Sequence, residues 1–321
     1  MKIAKRNHYN PCFWTALWNP NYYRLATTGG MESLSVREQS VYVLNVKSEK
    51  LFQTTVERVH YEKNLGLAEI SREAAEDFSR RHYPQGHEEF VRKSASSPYP
   101  VFIDFEQILT AMEKLLPYQT LLKVAVERRI ESREDKAHLS SFVVWQLLRS
   151  HAIMNSMIDW HRKLGHEKFE HFVMLKRQLG NTSALANLVE LLVCGQWSLF
   201  SATNETFLLC DSPILVKSRS IVVALSPKLL LEIDLNIKTH AEHLPITQQV
   251  SSQKLEEYRC RTIGNTFREI IGDEPILKQW QTTPEFKARV DLMRNAKNYN
   301  KQVWVNGQQE LWKMNAYGNK G

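Results

Sequence analysis

No run of roughly 18 apolar residues occurs in these 321 residues, so no segment reads as a membrane span. Cysteine is scarce, and the four present, Cys12, Cys194, Cys210 and Cys260, share no short spacing. That excludes a zinc site built on tight Cys/His pairs and fits reduced thiols in a cytoplasm. Neither a Gly-Lys-Ser/Thr phosphate loop nor a Gly-x-Gly-x-x-Gly fingerprint is present. ATP- or NAD-dependent chemistry in a standard fold is therefore disfavoured, and no cofactor is indicated. No apolar h-region follows the basic start, so it does not read as a secretory signal.

Acid is missing from residues 1–31, where Lys2, Lys5, Arg6 and Arg24 give +4. Residues 286–321 carry seven Lys/Arg against Asp291 and Glu310, a further +5. With +7 overall, the residues between them total −2. Both basic ends are rich in aromatics: Tyr9, Phe13, Trp14 and Trp18 at one, Tyr299, Trp304, Trp312 and Tyr317 at the other. Cations interleaved with aromatics suit phosphate contact and base stacking. RNA or single-stranded nucleic acid is the partner class this suggests, and the two ends are expected to form one surface. A solvated basic surface with anchoring aromatics accounts for the same residues.

Hydrophobic residues, at 43%, suffice for a sizeable core. Val41 to Val46 and Leu51 to Val59 read as a hairpin joined by Lys47-Ser48-Glu49-Lys50. Leu67 to Arg81 has helical spacing, and Lys93 to Pro100 reads as a loop. Asp104 and Gln107 suggest a capping box for a helix ending near Leu116-Pro117. Further helices are expected at 121–130, 136–163, 166–179 and 183–194. Trp197 to Phe200 and Phe207 to Cys210 read as a second hairpin, followed by strands at 221–225 and 229–233. A helix is expected over 255–271. The predicted fold class is α+β: one small mixed or antiparallel sheet from residues 41–59 and 197–233, packed on a helical block at 104–194. The predicted domain is 1–272, with 273–321 as a basic, aromatic C-terminal extension.

Asn7-His8-Tyr9-Asn10-Pro11-Cys12-Phe13 resembles the opening Asn-His-Tyr-x-Pro-x-aromatic motif of an uncharacterised, mainly bacterial domain-of-unknown-function family. Trp145-Gln146-Leu147-Leu148-Arg149 is similar to its Gln-x-x-Arg segment. Cys210-Asp211-Ser212-Pro213 and Ala224-Leu225-Ser226-Pro227 look like its later Ser-Asp-x-Pro and Pro-Leu-Ser-Pro elements. The likeness covers residues 5–272 in order. Cys12, Cys210 and Ala224 depart from the Gln, hydroxyl residue and Pro common there. The resemblance bears on fold and site location, since no activity comes with it.

His8 is the leading titratable candidate, because its ordinary pKa near 6.5 serves both acid and base. A buried imidazole bonded to a carbonyl is the structural alternative. Asp211 follows four apolar strand residues, and Pro213 keeps Ser212 out of the helical region. Its structural alternative is a turn Asp accepting backbone N–H bonds. Arg149 shares a helical face with Phe142 and Trp145, so its charge needs a partner, either Asp211 or a phosphate. His8, Arg149 and Asp211 are expected to converge, with Asn7, Tyr9, Gln146 and Ser212 as ligand-binding neighbours.

A Ser212–His8–Asp211 triad is disfavoured, because adjacent residues in an extended chain point apart and no Gly-x-Ser-x-Gly elbow exists. Arg133 and His138 match the Arg-x4-His spacing of HEPN-class RNases, as Arg81 and His87 match an x5 spacing. Composition alone accounts for such matches. Asp104-Phe105-Glu106 suggests a cation only if extended, and capping explains Asp104 without one, so no metal site is assigned. Two function classes follow. The first is a cytoplasmic hydrolase or nuclease acting on RNA or a phosphorylated ligand. The alternative is a non-catalytic module binding nucleic acid or protein.

Overall fold

A computed structural model of the chain describes residues 7–8, 10–28, 35–62, 67–70, 72–82, 84–96, 101–104, 115–150, 182–217 and 219–295. The chain starts with β1 (Asn7–His8) and α1 (Cys12–Ala16), which Pro11 enters in extended conformation. α2 (Pro20–Thr28) has Pro at its first position, and Asn19 Oδ1 accepts the Tyr22 N–H at 2.8 Å. Two indoles pin this segment to the interior. Trp14 Nε1 donates to Leu225 O (3.1 Å), and Trp18 Nε1 donates to Phe207 O (2.8 Å). Buried Trp needs such partners, and here both are main-chain carbonyls of a distant segment.

β2 (Ser40–Asn45) and β3 (Lys50–Thr55) form the first expected hairpin, and Asn45 Oδ1 accepts the Ser48 N–H at its turn. β4 (Tyr61–Glu62) pairs with β1, placing His8 opposite Tyr61. β5 (Leu67–Ile70) and β6 (Val101–Asp104) make a separate ribbon, with α3 (Arg72–His82) and α4 (His87–Ala95) between them in sequence. α5 (Leu116–Glu127) and α6 (Arg133–Arg149) pack together. Ser132 Oγ caps α6 by accepting the Asp135 N–H, and Glu134 and Asp135 favour the positive end of its dipole. α7 (Thr182–Val193) leads into β7 (Gly195–Ser201).

β8 (Leu209–Cys210), β9 (Leu215–Lys217), β10 (Ser220–Ser226), β11 (Leu229–Lys238) and β12 (Thr247–Gln249) follow. α8 (Ser252–Asn265), β13 (Glu269–Gly272), α9 (Glu274–Gln281) and α10 (Pro284–Asn295) complete the described chain.

The α+β class holds. The two expected β blocks are divided between two main sheets, however. A five-stranded mixed sheet runs β12-β7-β11-β10-β9, with only β12 parallel to its neighbour. A four-stranded antiparallel sheet runs β3-β2-β13-β8. β13 is the joint: a short apolar segment from late in the chain pairs with the first hairpin on one side and with β8 on the other. Both faces of the four-stranded sheet are covered. Val41, Val43, Leu209 and Ile271 enter the main core, whereas Leu44, Leu208 and Ile270 enter a second core with Leu277, Trp280, Phe286 and Val290.

Several expected boundaries move, each for a local reason. Pro117 stands in the first turn of α5 rather than ending a helix, because a first-turn position lacks an N–H partner anyway. Leu67–Ile70 is a strand, and the helix expected from Leu67 begins at Arg72. The helix after Lys93 continues to Ala95. β7 pairs with β11, and β8 with β13, so Trp197 to Cys210 is not a hairpin. α8 stops at Asn265, and Glu269–Gly272 is strand rather than helix. α6 ends at Arg149, and the expected helix over 166–179 lies outside the described residues.

Residues 274–295, read as part of an extension, form α9 and α10 and build the second core. That core cannot form without them. Phe286→Ala should cost about 3–5 kcal/mol, seen as an earlier urea midpoint with an unchanged slope.

Candidate functional site

A buried polar network lies where the N-terminal segment, α6, β8 and β13 meet. Asn10 is fully buried. Its Nδ2 donates to Cys210 O (2.9 Å) and to His60 Nδ1 (2.8 Å), and its Oδ1 accepts from Gln146 Nε2 (2.9 Å). His60 Nε2 in turn contacts Glu269 O at 3.2 Å. Carbonyls only accept, so the two at the ends of this chain fix every proton in it. Facing Cys210 O, Asn10 must present its NH2. Facing Glu269 O, His60 must carry its proton on Nε2, which leaves Nδ1 to accept from Asn10. Burial pushes the His60 pKa down to about 3, outweighing the backbone bond to Glu269, so the ring is neutral near neutrality. His60 also holds a left-handed backbone (φ 50°), a conformation that costs about 1–2 kcal/mol for a residue with a Cβ.

Asp211 organises the neighbouring turn. Its Oδ1 accepts the Phe267 N–H (2.8 Å), and its Oδ2 accepts those of Arg268 (2.5 Å) and Glu269 (3.3 Å). The carboxylate thus caps the entry to β13, in the manner of a turn Asp. Cys210 beside it is buried, and burial pushes its thiol up to about 12, far from a reactive thiolate. Ser212 is buried too. Its carbonyl accepts from Asn265 Nδ2, and among the described residues its hydroxyl has no hydrogen-bond partner.

At the rim Arg268 carries the accessible charge, with Glu269 and His8 buried beside it. Arg268 Nη1 donates to Tyr61 O at 3.2 Å, its Nη2 lies 4.0 Å from Glu269 Oε1, and its side chain is 36% exposed. Glu269 Oε2 accepts the His60 N–H at 2.9 Å. Burial raises the Glu269 pKa above the usual carboxylate value, offset in part by that bond and by Arg268. His8 Nε2 donates to Glu57 O at 3.1 Å, and its ring lies 6.1 Å from that of Tyr61. His8 and Arg268 therefore meet the same residue from two sides. Lys47 lies over the Phe267 ring, 6.0 Å from its centre, and Val46 N–H donates to Arg268 O at 2.8 Å.

Of the residues the sequence singled out, His8 and Asp211 fall on this assembly, Asp211 through the backbone of Arg268 and Glu269, and Gln146 lies within the network. Ser212 adjoins Asp211. Arg149 ends α6 three residues beyond Gln146, but its side chain, that of Asn7, and all of Tyr9 lie outside the described residues. The alternative Arg133–His138 pair does not converge: Arg133 pairs with Glu242, and His138 meets Thr120. His87 bonds to Ser79, while the Arg81 side chain lies outside the described residues. Asn10, His60, Arg268 and Glu269 were missed. Asn10 stood inside the quoted motif, and Glu269 was hidden by reading its strand as a helix.

Among the described residues, no cluster of three or more His, Cys, Asp or Glu is placed to hold a metal, and no helix is long and apolar enough to cross a membrane. Comparison with protein-family models, curated proteins and solved structures finds no match.

His60 makes the fold acid-sensitive. Its folded pKa lies below its unfolded value, so the unfolded chain binds the extra proton and stability falls as pH drops from about 6.5 toward 3. Between pH 7 and pH 5 this one residue should remove about 2 kcal/mol. Glu269, with its raised pKa, acts in the opposite sense and loses stability as pH rises above 4.5. Urea titrations at both pH values should show the His60 loss in the wild type and not in His60→Gln. An equal acid sensitivity in the variant would contradict the assignment.

Proposed function

We propose that this chain acts on a phosphate-bearing ligand, RNA or a phosphorylated small molecule, at the corner formed by Arg268, Glu269, Tyr61 and His8. The observation carrying this reading is Arg268. Its backbone is fixed by Asp211 and Val46, and its guanidinium is partly open to solvent. The nearest carboxyl, Glu269, is buried and its Oε1 stands 4.0 Å from the cation, beyond hydrogen-bond reach. Such a guanidinium is ready to donate to two phosphate oxygens. Arg149 is retained as a second phosphate-holding candidate.

Glu269 and His8 flank that position as proton donor and acceptor, a task suited to a carboxyl moved toward neutrality. Four free thiols support a reducing compartment, the cytoplasm, as the place of action.

A non-catalytic binding module is the second reading, and a specific geometry favours it. His8 donates to a main-chain carbonyl and Asp211 is engaged by three backbone N–H groups, as scaffold residues are.

Arg268→Ala keeps the backbone bonds to Asp211 and Val46, so its melting temperature should stay within a few degrees. Its affinity for a short RNA should fall about tenfold to a hundredfold, the worth of hydrogen bonds to a charged group. Unchanged affinity refutes the reading. Glu269→Gln can still accept the His60 N–H. It should bind normally and lose phosphodiester cleavage if the chain is an enzyme, whereas a wild type that binds and never cleaves supports the binding module.

A further inference from the structure

The Arg268 corner opens onto a line of cations that a small phosphorylated ligand would not need. Val46 N–H donates to Arg268 O, so the β2–β3 turn stands directly beside the site. One residue on, exposed Lys47 lies over Phe267. Two residues further, Glu49 takes Lys287 Nζ and Arg294 Nη2 on separate oxygens, each at 2.6 Å. Those two cations belong to α10 and remain about half exposed, at 53% and 52% of their side chains. Gln281 Nε2 locks the turn by donating to Glu49 O at 2.6 Å.

The charge balance along this line is one-sided. Arg268, Lys47, Lys287 and Arg294 face Glu49, whose pKa is lowered by the hydrogen bond to Lys287 and which is therefore ionised at neutral pH, and Glu269, whose pKa burial raises. Two cations on one carboxylate leave a net positive charge, and exposed pairs of this kind are held weakly enough to exchange for phosphate. Tyr61 and Phe267, both half-buried, interrupt the cations at the Arg268 end. Cations in series with aromatic rings between them match a backbone with bases attached, Phe267 packing on the second core as well. The line also runs from beside β1 to α10, and residues 296–321 lie outside the described residues. His8 borders it through Tyr61, and Lys287 and Arg294 open the basic C-terminal stretch that continues in Lys297 and Lys301.

We propose that the surface from Tyr61 and Arg268 through Lys47 to Lys287 and Arg294 is a track for single-stranded nucleic acid. The ligand of the Arg268 corner is then a polymer segment. This rests on the phosphate reading of that corner and extends it by naming the substrate class.

The test measures binding of fluorescent single-stranded RNA of two, four, eight and twelve nucleotides, and of a mononucleotide, across a salt series with the full chain. Affinity should climb with length until the track is filled. The logarithmic salt slope for the longer oligomers should be about −2 to −3, as four phosphate contacts on a single strand require. Lys287→Gln with Arg294→Gln should weaken the twelve-mer about tenfold or more and leave the dinucleotide unchanged. Glu49→Gln removes the carboxylate that competes for Lys287 and Arg294, so it should bind the twelve-mer several-fold more tightly, a gain that misfolding cannot imitate.

A mononucleotide bound as tightly as the twelve-mer, with Arg268 still required, overturns the track and leaves the corner standing. Length-dependent binding indifferent to Arg268 shows that the corner reading is wrong. Anionic phosphatidylserine vesicles bound as tightly as RNA at equal salt, with the same response to Glu49→Gln, overturn the nucleic-acid assignment in favour of a lipid surface.

Discussion

The carboxylate of Asp211 is the contact on which the described architecture depends. Three successive N–H groups, from Phe267, Arg268 and Glu269, point at its two oxygens. Without it the turn between α8 and β13 would bury donors with no acceptor, at about 1–3 kcal/mol each. With it, β13 enters the four-stranded sheet in register, and Ile270 and Ile271 are delivered to opposite cores. The same capping presents Phe267 and Arg268 at the rim. One charge therefore sets the sheet, the division of the core and the exposed chemistry together.

Behind the rim, the Asn10–His60–Gln146 chain ties three distant segments through bonds whose protons are fixed by main-chain carbonyls. A buried polar network is costly when incomplete and specifies a unique packing when complete. This one attaches the N-terminal segment to α6, β8 and β13, with Trp14 and Trp18 securing the same segment further along. A ring kept uncharged near neutral pH spares the interior a buried charge.

What the sequence made legible follows from where the determining interactions lie. The first hairpin was readable because alternation and a four-residue polar turn are local signals. Anchoring by the N-terminal aromatics was legible as the alternative to a nucleic-acid surface, because tryptophans are costly to expose, and Trp14 and Trp18 do anchor that segment. β13 was not readable. Its four residues follow a long helical pattern, and its strand state comes from pairing with β2 and from Asp211, which is 58 residues away from Glu269. Asp211 itself was singled out, with its capping role as the structural alternative. His60 gave no signal, since a single histidine after an apolar strand is commonplace and its meaning comes from Asn10, 50 residues distant. The C-terminal helices were set aside for their charge, although Trp280 and Phe286 supply a core that only the fold reveals.

The central claim is that the interior network exists to present Tyr61, Phe267 and Arg268 as a nucleic-acid contact. Photo-cross-linking of a thiouridine-substituted RNA oligonucleotide, followed by mass spectrometry of the attached peptides, reads this directly. The account predicts adducts on the peptides containing Tyr61 and Phe267, lost when excess unlabelled RNA competes. Cross-links confined to peptides of α3 and α4, with none on β4 or the α8–β13 turn, would contradict it.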